Sequence, residues 1–318
     1  MSAQHPANTQ HPAKTRSLRP RRWTVAAALI GALAGSIAIS ARADAAPSGP
    51  KPLAGTAKFL GRWNYRTPEP SAGLNIAVVS GTGFSEEFPQ IGWVDFTQDA
   101  DGEVTGTTDQ GCAWQFALES GELQLATQGQ RCTNKVIGSA YQMNRWTVSV
   151  TGNREHEYIQ ATSFLPNGTF DFTLARGARA RVNPASRQDV ARRFAGDWRF
   201  SPADPATDVN IETVVSASGQ SSGQAVTGSV SITRTGQRSI LARTANGCAW
   251  KLNVAGNTAE LAGPQTCQLP GNSAQSYSFW TMAVGGRRQY AVMAGSDSND
   301  GSPSEFLLAT GLLTAGKA

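Results

Sequence analysis

Residues able to do acid–base chemistry are scarce in this chain of 318 residues, and one histidine decides most of the question. His5 and His11 fall in the N-terminal segment, which leaves His156 for the rest of the chain. A Ser-His-Asp triad would have to use it. It lies in the charged stretch 154–157, which is typical of an exposed turn. The sequence therefore predicts no catalytic residue and no enzyme.

The surrounding unit occurs twice. Phe-Leu-Gly-Arg-Trp at 59–63 returns as Phe-Ala-Gly-Asp-Trp at 194–198, and Gly-Cys-Ala-Trp at 111–114 returns at 247–250. The offset stays between 134 and 136 residues along the whole unit, so chance does not explain the match. The residues that match are mostly of scaffold type. The duplication therefore says more about architecture than about activity.

Cysteine chemistry follows from the duplication, because each unit carries two cysteines. Four cysteines allow three pairings. Each unit must be able to close its own bridge, so the pattern predicts the disulfides Cys112–Cys132 and Cys248–Cys267. A zinc site is the competing interpretation, and it fails because each unit supplies two thiols and no paired histidines. We expect no metal and no cofactor.

Paired carboxylates are the remaining chemistry, since two of them can hydrolyse a glycoside. Six acidic residues of the first unit lack acidic partners at the matched positions of the second: Glu86, Glu87, Asp99, Asp101, Glu119 and Glu122. The matched acidic pair Glu69 and Asp204 precedes proline and is typical of a turn. No glycine-rich phosphate loop or dinucleotide fingerprint is present in the sequence.

Charge and hydropathy place the protein outside the cytoplasm. Residues 1–43 combine six basic residues, no acidic ones, an apolar run over 23–40 and the small-x-small site Ala41-Arg42-Ala43. This order predicts a signal peptide, for the Sec or the twin-arginine route, and a secreted or periplasmic protein. An uncleaved signal would be the membrane contact. The net charge of +5 belongs to this segment, so we expect no nucleic-acid partner.

The units themselves have the period-2 pattern of short strands. Apolar residues alternate after Cys112 and Cys248 and again after Trp146 and Trp280. We predict an all-β protein of two tandem, homologous, small antiparallel β-barrels with about seven or eight strands each. The predicted order is a signal peptide at 1–43, an N-terminal arm at 44–58, the first barrel repeat at 59–178, a basic linker with a short helix at 179–193, and the second repeat at 194–318.

Matched tryptophans are candidates for both core and ligand contact. Inward aromatic residues of a small barrel fill it or line a cavity. The candidate ligand-lining residues are Trp114, Trp146, Trp250 and Trp280.

The Gly-x-Trp sequence after a short helical lead resembles the start of lipocalin and calycin barrels. The resemblance rests on Gly61 and Trp63, which are repeated as Gly196 and Trp198. We expect these four residues to have a structural role. In that group the tryptophan starts the first strand and plugs the closed end. The resemblance also implies a late arginine packed on the tryptophan, for which Arg176 is the candidate.

A more distant resemblance is to the secreted bacterial inhibitors of alkaline metalloproteases. These are exported barrels with an early Gly-x-Trp and one disulfide, and they insert an N-terminal segment into the protease cleft. Residues 44–55, rich in Ala, Pro and Gly, are the matching segment. The cysteines lie later in this chain, and the tandem copy is a further departure.

The sequence thus favours an exported, non-enzymatic binding protein for a small apolar ligand or an extracellular protein partner. The alternatives are a secreted protease inhibitor acting through its N-terminal arm and a structural protein of the envelope or matrix. The size of a cavity inside the barrels separates a ligand carrier from an inhibitor.

Overall fold

A computed structural model describes residues 55–134, 136, 138–165, 168–183, 188–299 and 302–316. The predicted signal peptide and residues 44–54 of the predicted arm lie outside this part of the chain. Within it, each repeat forms one closed antiparallel barrel of eight strands, so the predicted all-β fold with two tandem barrels is confirmed.

The first barrel is built from a sheet that has eleven strands in the described residues. They are β1 (Gly61–Tyr65), β2 (Ile76–Gly81), β3 (Phe84–Pro89), β4 (Trp93–Gln98), β5 (Val104–Thr108), β6 (Ala113–Glu119), β7 (Glu122–Leu125), β8 (Gln130–Thr133), β9 (Ala140–Thr151), β10 (Arg154–Leu165) and β11 (Gly168–Arg181). The ring runs β1-β4-β5-β6-β7-β9-β10-β11 and closes where β11 pairs with β1. The β2–β3 hairpin extends β11, and β8 extends β9.

The second barrel repeats this topology strand for strand. Its strands are β12 (Gly196–Phe200), β13 (Ile211–Ser216), β14 (Ser221–Ala225), β15 (Ser229–Gly236), β16 (Ser239–Thr244), β17 (Ala249–Ala255), β18 (Thr258–Leu261), β19 (Gln265–Gln268), β20 (Ala274–Gly285), β21 (Arg288–Asn299) and β22 (Ser302–Ala315). Two 3₁₀ turns, Pro70–Ala72 and Val190–Arg193, complete the regular elements of the described residues. No helix there has the length and apolar character needed to cross a bilayer.

Strand alternation explains the core of each barrel. In β6, Trp114 and Phe116 are buried while Gln115 between them is exposed, as expected when successive side chains point to opposite faces. Leu118 continues the inward pattern in the sequence but is 36% exposed, because it is two residues from the turn that ends the strand. The strand is therefore buried along its first half.

The tryptophan that starts each barrel is buried at one end of the ring. Trp63 donates its indole N–H to the Phe59 carbonyl at 2.6 Å, and Trp198 donates to the Phe194 carbonyl at 2.7 Å. Gly61 precedes Trp63 with φ 98°, a conformation that side chains disfavour. The structural role predicted for these positions has a physical basis in both copies.

The arginine on this tryptophan is Arg181, and the candidate Arg176 was wrong. Arg181 lies over the Trp63 ring with its guanidinium carbon 4.2 Å from the ring centre. Arg176 lies five residues earlier in β11 and instead donates to the Ala72 carbonyl at 2.7 Å. The contact needs a residue level with Trp63, and the register pairs Trp63 with Arg181.

The predicted basic linker begins inside a strand. β11 continues to Arg181, so Arg179 and Arg181 belong to the barrel and are not part of an exposed connector. Arg179 is 1% exposed. A 3₁₀ turn over Val190–Arg193 lies in the segment where a short helix was predicted.

Both predicted disulfides are present. Cys112 is bonded to Cys132 and Cys248 to Cys267, with Cα–Cα distances of 5.7 and 5.8 Å. Each bridge ties the residue before a long strand (β6 or β17) to a short strand at the barrel edge (β8 or β19). A closed loop of this length stabilises the fold by about 3 kcal/mol on the chain-entropy model.

The two barrels pack against each other through the outer face of β20, β21 and β22. Ala283 and Tyr290 are buried there in a cluster with Ile91 of the first barrel. Leu307 and Ala294 form a second cluster with Val136 of the first barrel. Outward side chains of a barrel normally face water, so an apolar outer face that is buried marks a built interface.

Polar contacts at the edge of this interface hold its register. Arg62 on β1 forms an ion pair with Glu260 on β18 at 2.9 Å, and Glu260 also accepts from the Trp93 indole at 2.7 Å. Asn64 donates to the Ala255 carbonyl at 2.5 Å. The second barrel therefore sits in one defined position on the first.

Candidate functional site

A cavity of about 250 Å³ lies in the first barrel and ends against the second. Its lining consists mainly of aromatic and aliphatic side chains, with a few polar groups. The apolar and aromatic lining residues are Tyr65, Val79, Phe88, Pro89, Ile91, Trp93, Cys112, Trp114, Val136, Tyr141, Met143, Trp146, Ile159, Ala161, Phe170, Phe172, Val292, Leu307 and Ala309. The polar ones include Thr108, Asp109, Gln110, Asn134, Ser163, Arg179 and Thr281.

Inward positions of the ring strands form the side wall of this cavity. Trp114 comes from β6, Trp146 from β9 and Ile159 from β10, each flanked along its strand by residues that face the other way. Val292 and Leu307 are outward residues of β21 and β22, and they complete the wall from the second barrel. One barrel thus supplies the pocket and the other covers part of it.

The four candidate ligand-lining tryptophans separate into two pairs. Trp114 and Trp146 line the cavity of the first barrel. Trp250 and Trp280 lie in the hydrophobic core of the second barrel, at 0% and 1% exposure. The matched sequence positions therefore have different surroundings in the two copies.

The core of the second barrel is filled by a tyrosine at the position of Met143. Tyr277 packs against Trp250, Trp280 and Phe306 with ring centres 4.6, 5.1 and 5.3 Å apart. Aromatic pairs at such distances are well packed. In the first barrel Met143 lines the cavity instead. A larger side chain thus occupies the space in one copy that stays open in the other.

A buried cluster of charges forms the inner end of the cavity. Arg179 on β11 pairs with Glu155 at 2.5 Å and with Glu157 at 2.7 Å, both on β10. Its second terminal nitrogen donates to the Tyr65 hydroxyl at 2.7 Å. Glu157 also accepts from the Trp146 indole at 2.8 Å. These five side chains are almost entirely buried, and hydrogen bonds within the cluster replace water for part of their polar atoms. Glu155 Oε2, Glu157 Oε1 and Arg179 Nε have no hydrogen-bond partner among the described residues.

Burial sets the protonation of this cluster. It raises the pKa of Glu155 to about 7, although the Arg179 guanidinium acts in the opposite direction. Burial also raises the pKa of Glu157 against the same guanidinium. Burial alone would lower the pKa of Arg179, but Glu157, Tyr65 and Glu155 outweigh it, and Arg179 stays charged. One arginine thus has to compensate two glutamates.

The stretch around His156 is a strand and not the exposed turn that the sequence predicted. β10 starts at Arg154, and alternation turns Glu155 and Glu157 into the barrel and leaves His156 exposed outside. Charged residues enter the barrel here because Arg179 neutralises them. The turn itself lies one step earlier, around Gly152.

Sequence reasoning missed the charged cluster because it followed the residues that match between the copies. The cluster occupies positions that differ: Tyr65, Glu155, Glu157 and Arg179 correspond to Phe200, Gln289, Ala291 and Leu313. In the second barrel Gln289 donates to the Met282 sulfur at 2.9 Å, and the buried Trp280 indole has no hydrogen-bond partner among the described residues. The sequence signal for the cluster is the set of inward positions at which the two copies carry different residues.

The matched polar residues serve the backbone. Asn75 donates to the carbonyls of Arg66 and Ala178, at 2.7 and 3.0 Å, and accepts from the Ala178 amide at 2.7 Å. Asn210 makes the same three bonds in the second barrel.

Within the described part of the chain, no group of three or more His, Cys, Asp or Glu side chains is arranged to hold a metal ion.

Comparison with known proteins identifies no family for this chain. No protein-family model matches the chain, and no curated protein matches it. Two solved structures are similar: a protein provisionally assigned to the outer membrane of Bacteroides fragilis, and a protein of unknown function from the DUF3598 family of Nostoc punctiforme. Each has 9% identity, and their TM-scores are 0.27 and 0.23. The matches cover 82% of this chain and 99% and 98% of the other chains, respectively.

Proposed function

We propose that this protein is an exported, non-catalytic carrier that binds one small, largely apolar ligand in the first barrel. The observation that carries the proposal is the aromatic-lined cavity of about 250 Å³ between Trp114, Trp146 and the outer face of the second barrel. Pockets for drug-sized ligands are commonly about 300 Å³ or more, so the ligand is a small one.

The walls support binding in preference to reaction. Arg179, Glu155 and Glu157 are held by one another, by Tyr65 and by Trp146. His156 is the single histidine in the sequence of the two repeats, and it is exposed on the outside of β10. Export is supported by the predicted signal peptide and by two disulfides, which persist in oxidising compartments.

The second barrel takes the role of scaffold and cover in this proposal. Tyr277 occupies the middle of its aromatic core, and the outer face around Leu307 and Val292 closes the cavity of its neighbour. Duplication thus supplies a pocket from one copy and part of its wall from the other.

Calorimetric titration with propylbenzene tests the proposal. We expect one site per chain, and Ala161→Leu should weaken binding by at least about tenfold, because the added atoms occupy the cavity. Gln160→Leu is the matched control, since its side chain leaves the same strand on the other face. Equal binding by both variants, or no binding by the parent protein, would contradict the proposal.

A further inference from the structure

One carboxylate on the cavity wall has an oxygen without a hydrogen-bond partner among the described residues. Asp109 follows β5, and its amide donates to the Trp93 carbonyl at 3.3 Å. The side chain lines the cavity, and its Oδ2 atom is inaccessible to solvent and accepts no hydrogen bond from the described residues. A buried oxygen of this kind costs free energy unless something binds to it.

The backbone leaves room for this carboxylate. A Cβ atom at Gly92 would lie 2.0 Å from Asp109 Oδ2, so only glycine fits beneath it. Gly92 also has φ 99°, which other residues rarely adopt. The second barrel has Ala245 at the position of Asp109. Asp109 is thus a feature of the cavity and not of the repeated scaffold.

The two nearby guanidinium groups are each paired with glutamate, although Arg62 Nη2 and Arg179 Nε have no hydrogen-bond partner among the described residues. Arg179 binds Glu155, Glu157 and Tyr65. Arg62 binds Glu260 and stacks on the Trp93 ring, with its guanidinium carbon 4.3 Å from the ring centre. Apart from the Arg62–Glu260 pair, the buried charges around the cavity are three carboxylates and one guanidinium. This imbalance favours a positive charge in the cavity.

Aromatic rings around the cavity favour the same sign of charge. Tyr65, Trp114, Trp146 and Tyr141 all line it. The faces of such rings attract cations, and the effect grows where water is excluded. The same rings also receive an apolar or aromatic body. Charge and shape therefore point to one class of ligand.

We propose that the ligand is a primary amine on a small apolar or aromatic body, with its ammonium group bound to Asp109 beside the face where the second barrel completes the wall. This inference rests on the proposed carrier function and specifies its ligand. The ammonium binds the Asp109 carboxyl group on the cavity wall, and the apolar body lies between Trp114 and Trp146.

Three probes of similar size test the charge preference by titration calorimetry: 2-phenylethylamine, propylbenzene and 3-phenylpropanoate. We expect the amine to bind at least about tenfold more tightly than propylbenzene, because a hydrogen bond to a buried charge is among the stronger ones. The carboxylate should bind most weakly. Since Arg179 Nε also lacks a partner, preference for 3-phenylpropanoate would overturn the inference and assign the site to an anion.

Variants of Asp109 identify the residue. Asp109→Asn and Asp109→Ala, the second taken from the other barrel, should remove the preference for the amine, so that it binds no more tightly than propylbenzene. Neither should lower the melting temperature strongly, because Oδ2 has no hydrogen-bond partner to lose among the described residues. A merely structural Asp109 would give the reverse: lower stability with the amine preference intact.

The pH dependence supplies an independent check. Burial and the neighbouring Glu260 raise the pKa of Asp109 to about 7, against the lowering effect of Arg62 and Arg179. The carboxylate is therefore protonated below about pH 7, and amine affinity should fall as the pH decreases from 8 to 6. Propylbenzene affinity should change less over this range, and Asp109→Asn should reduce the dependence to the part contributed by Glu155, whose pKa burial also raises to about 7.

The outcomes separate the two proposals. If propylbenzene binds with the sensitivity to Ala161→Leu given above, but the amine has no advantage, the carrier function stands and the amine inference falls. If neither the amine nor propylbenzene binds, both fall. Propylbenzene binding together with tighter amine binding that depends on Asp109 supports both.

Discussion

The two barrels share a scaffold and differ in what fills it. Both close eight strands in the same order, tie the same edge with a disulfide and bury a tryptophan on the carbonyl four residues before it. Inside, the first barrel has a charged cluster around Arg179 and an open cavity, whereas the second has Leu313 and Tyr277 at the corresponding places. The two copies have thus kept the same scaffold, while the side chains inside the barrels have diverged.

The outer faces of the two barrels also differ, and here the second barrel is the more apolar one. Ala283, Tyr290 and Leu307 on the second barrel are buried against the first. The matched residues of the first barrel are Ser149, His156 and Thr173. On this face the first barrel therefore has polar residues where the second has apolar ones. Inside, the first barrel holds the charged cluster, whereas the second has a packed apolar core. Each difference fits the division into pocket and cover.

The largest effect is expected from placing one residue of the second barrel into the first. Arg179→Leu leaves Glu155 and Glu157 buried without their cation, and breaking such a pair costs about 3–5 kcal/mol of folding free energy. Urea unfolding measures the loss.

The complete exchange sharpens this comparison. A variant that also carries Tyr65→Phe, Glu155→Gln and Glu157→Ala has the inward residues of the second barrel, and it should recover most of the loss, because buried ion pairs are often replaceable by apolar groups. A fourfold variant no more stable than Arg179→Leu would show that the two interiors are not interchangeable.

A smaller effect is expected at the interface. Leu307→Ala removes a buried contact with Val136 and should cost about 2 kcal/mol, the lower end for such changes. Thr173→Ala, at the same strand position of the first barrel, should change stability by about 0.5 kcal/mol or less. Thermal unfolding of the two variants, compared with the parent, checks the difference. Equal losses would mean that the outer face of the second barrel has no special role.

The fold was predictable because the period-2 alternation that indicates a strand is visible over a few residues, and the duplication shows each such pattern twice. The strand after Cys112, the bridge to Cys132 and the Gly-x-Trp start all follow from short spacings. The strand containing Glu155 was harder, because inward charges imitate a turn unless their partner is known. That partner, Arg179, lies 24 residues away and looked like part of a basic linker.

The site was predictable in part. Inward tryptophans identified Trp114 and Trp146 as cavity residues, but the same reasoning included Trp250 and Trp280, because one sequence pattern serves a filled and an open barrel. The volume at the centre depends on the neighbouring residue, Met143 or Tyr277, which no periodicity distinguishes. Asp109 stands in a turn, and nothing in its sequence surroundings shows that its side chain lines the cavity.

Exchange of the central residue between the barrels tests most directly that the first barrel binds and the second does not. Titration calorimetry with 2-phenylethylamine would compare the parent protein with Met143→Tyr and Tyr277→Met. Met143→Tyr should reduce affinity by at least about tenfold, because the ring fills the cavity as Tyr277 fills its own barrel. Tyr277→Met should leave the affinity of the first site unchanged. Binding that survives Met143→Tyr, or that is lost with Tyr277→Met, would contradict the account.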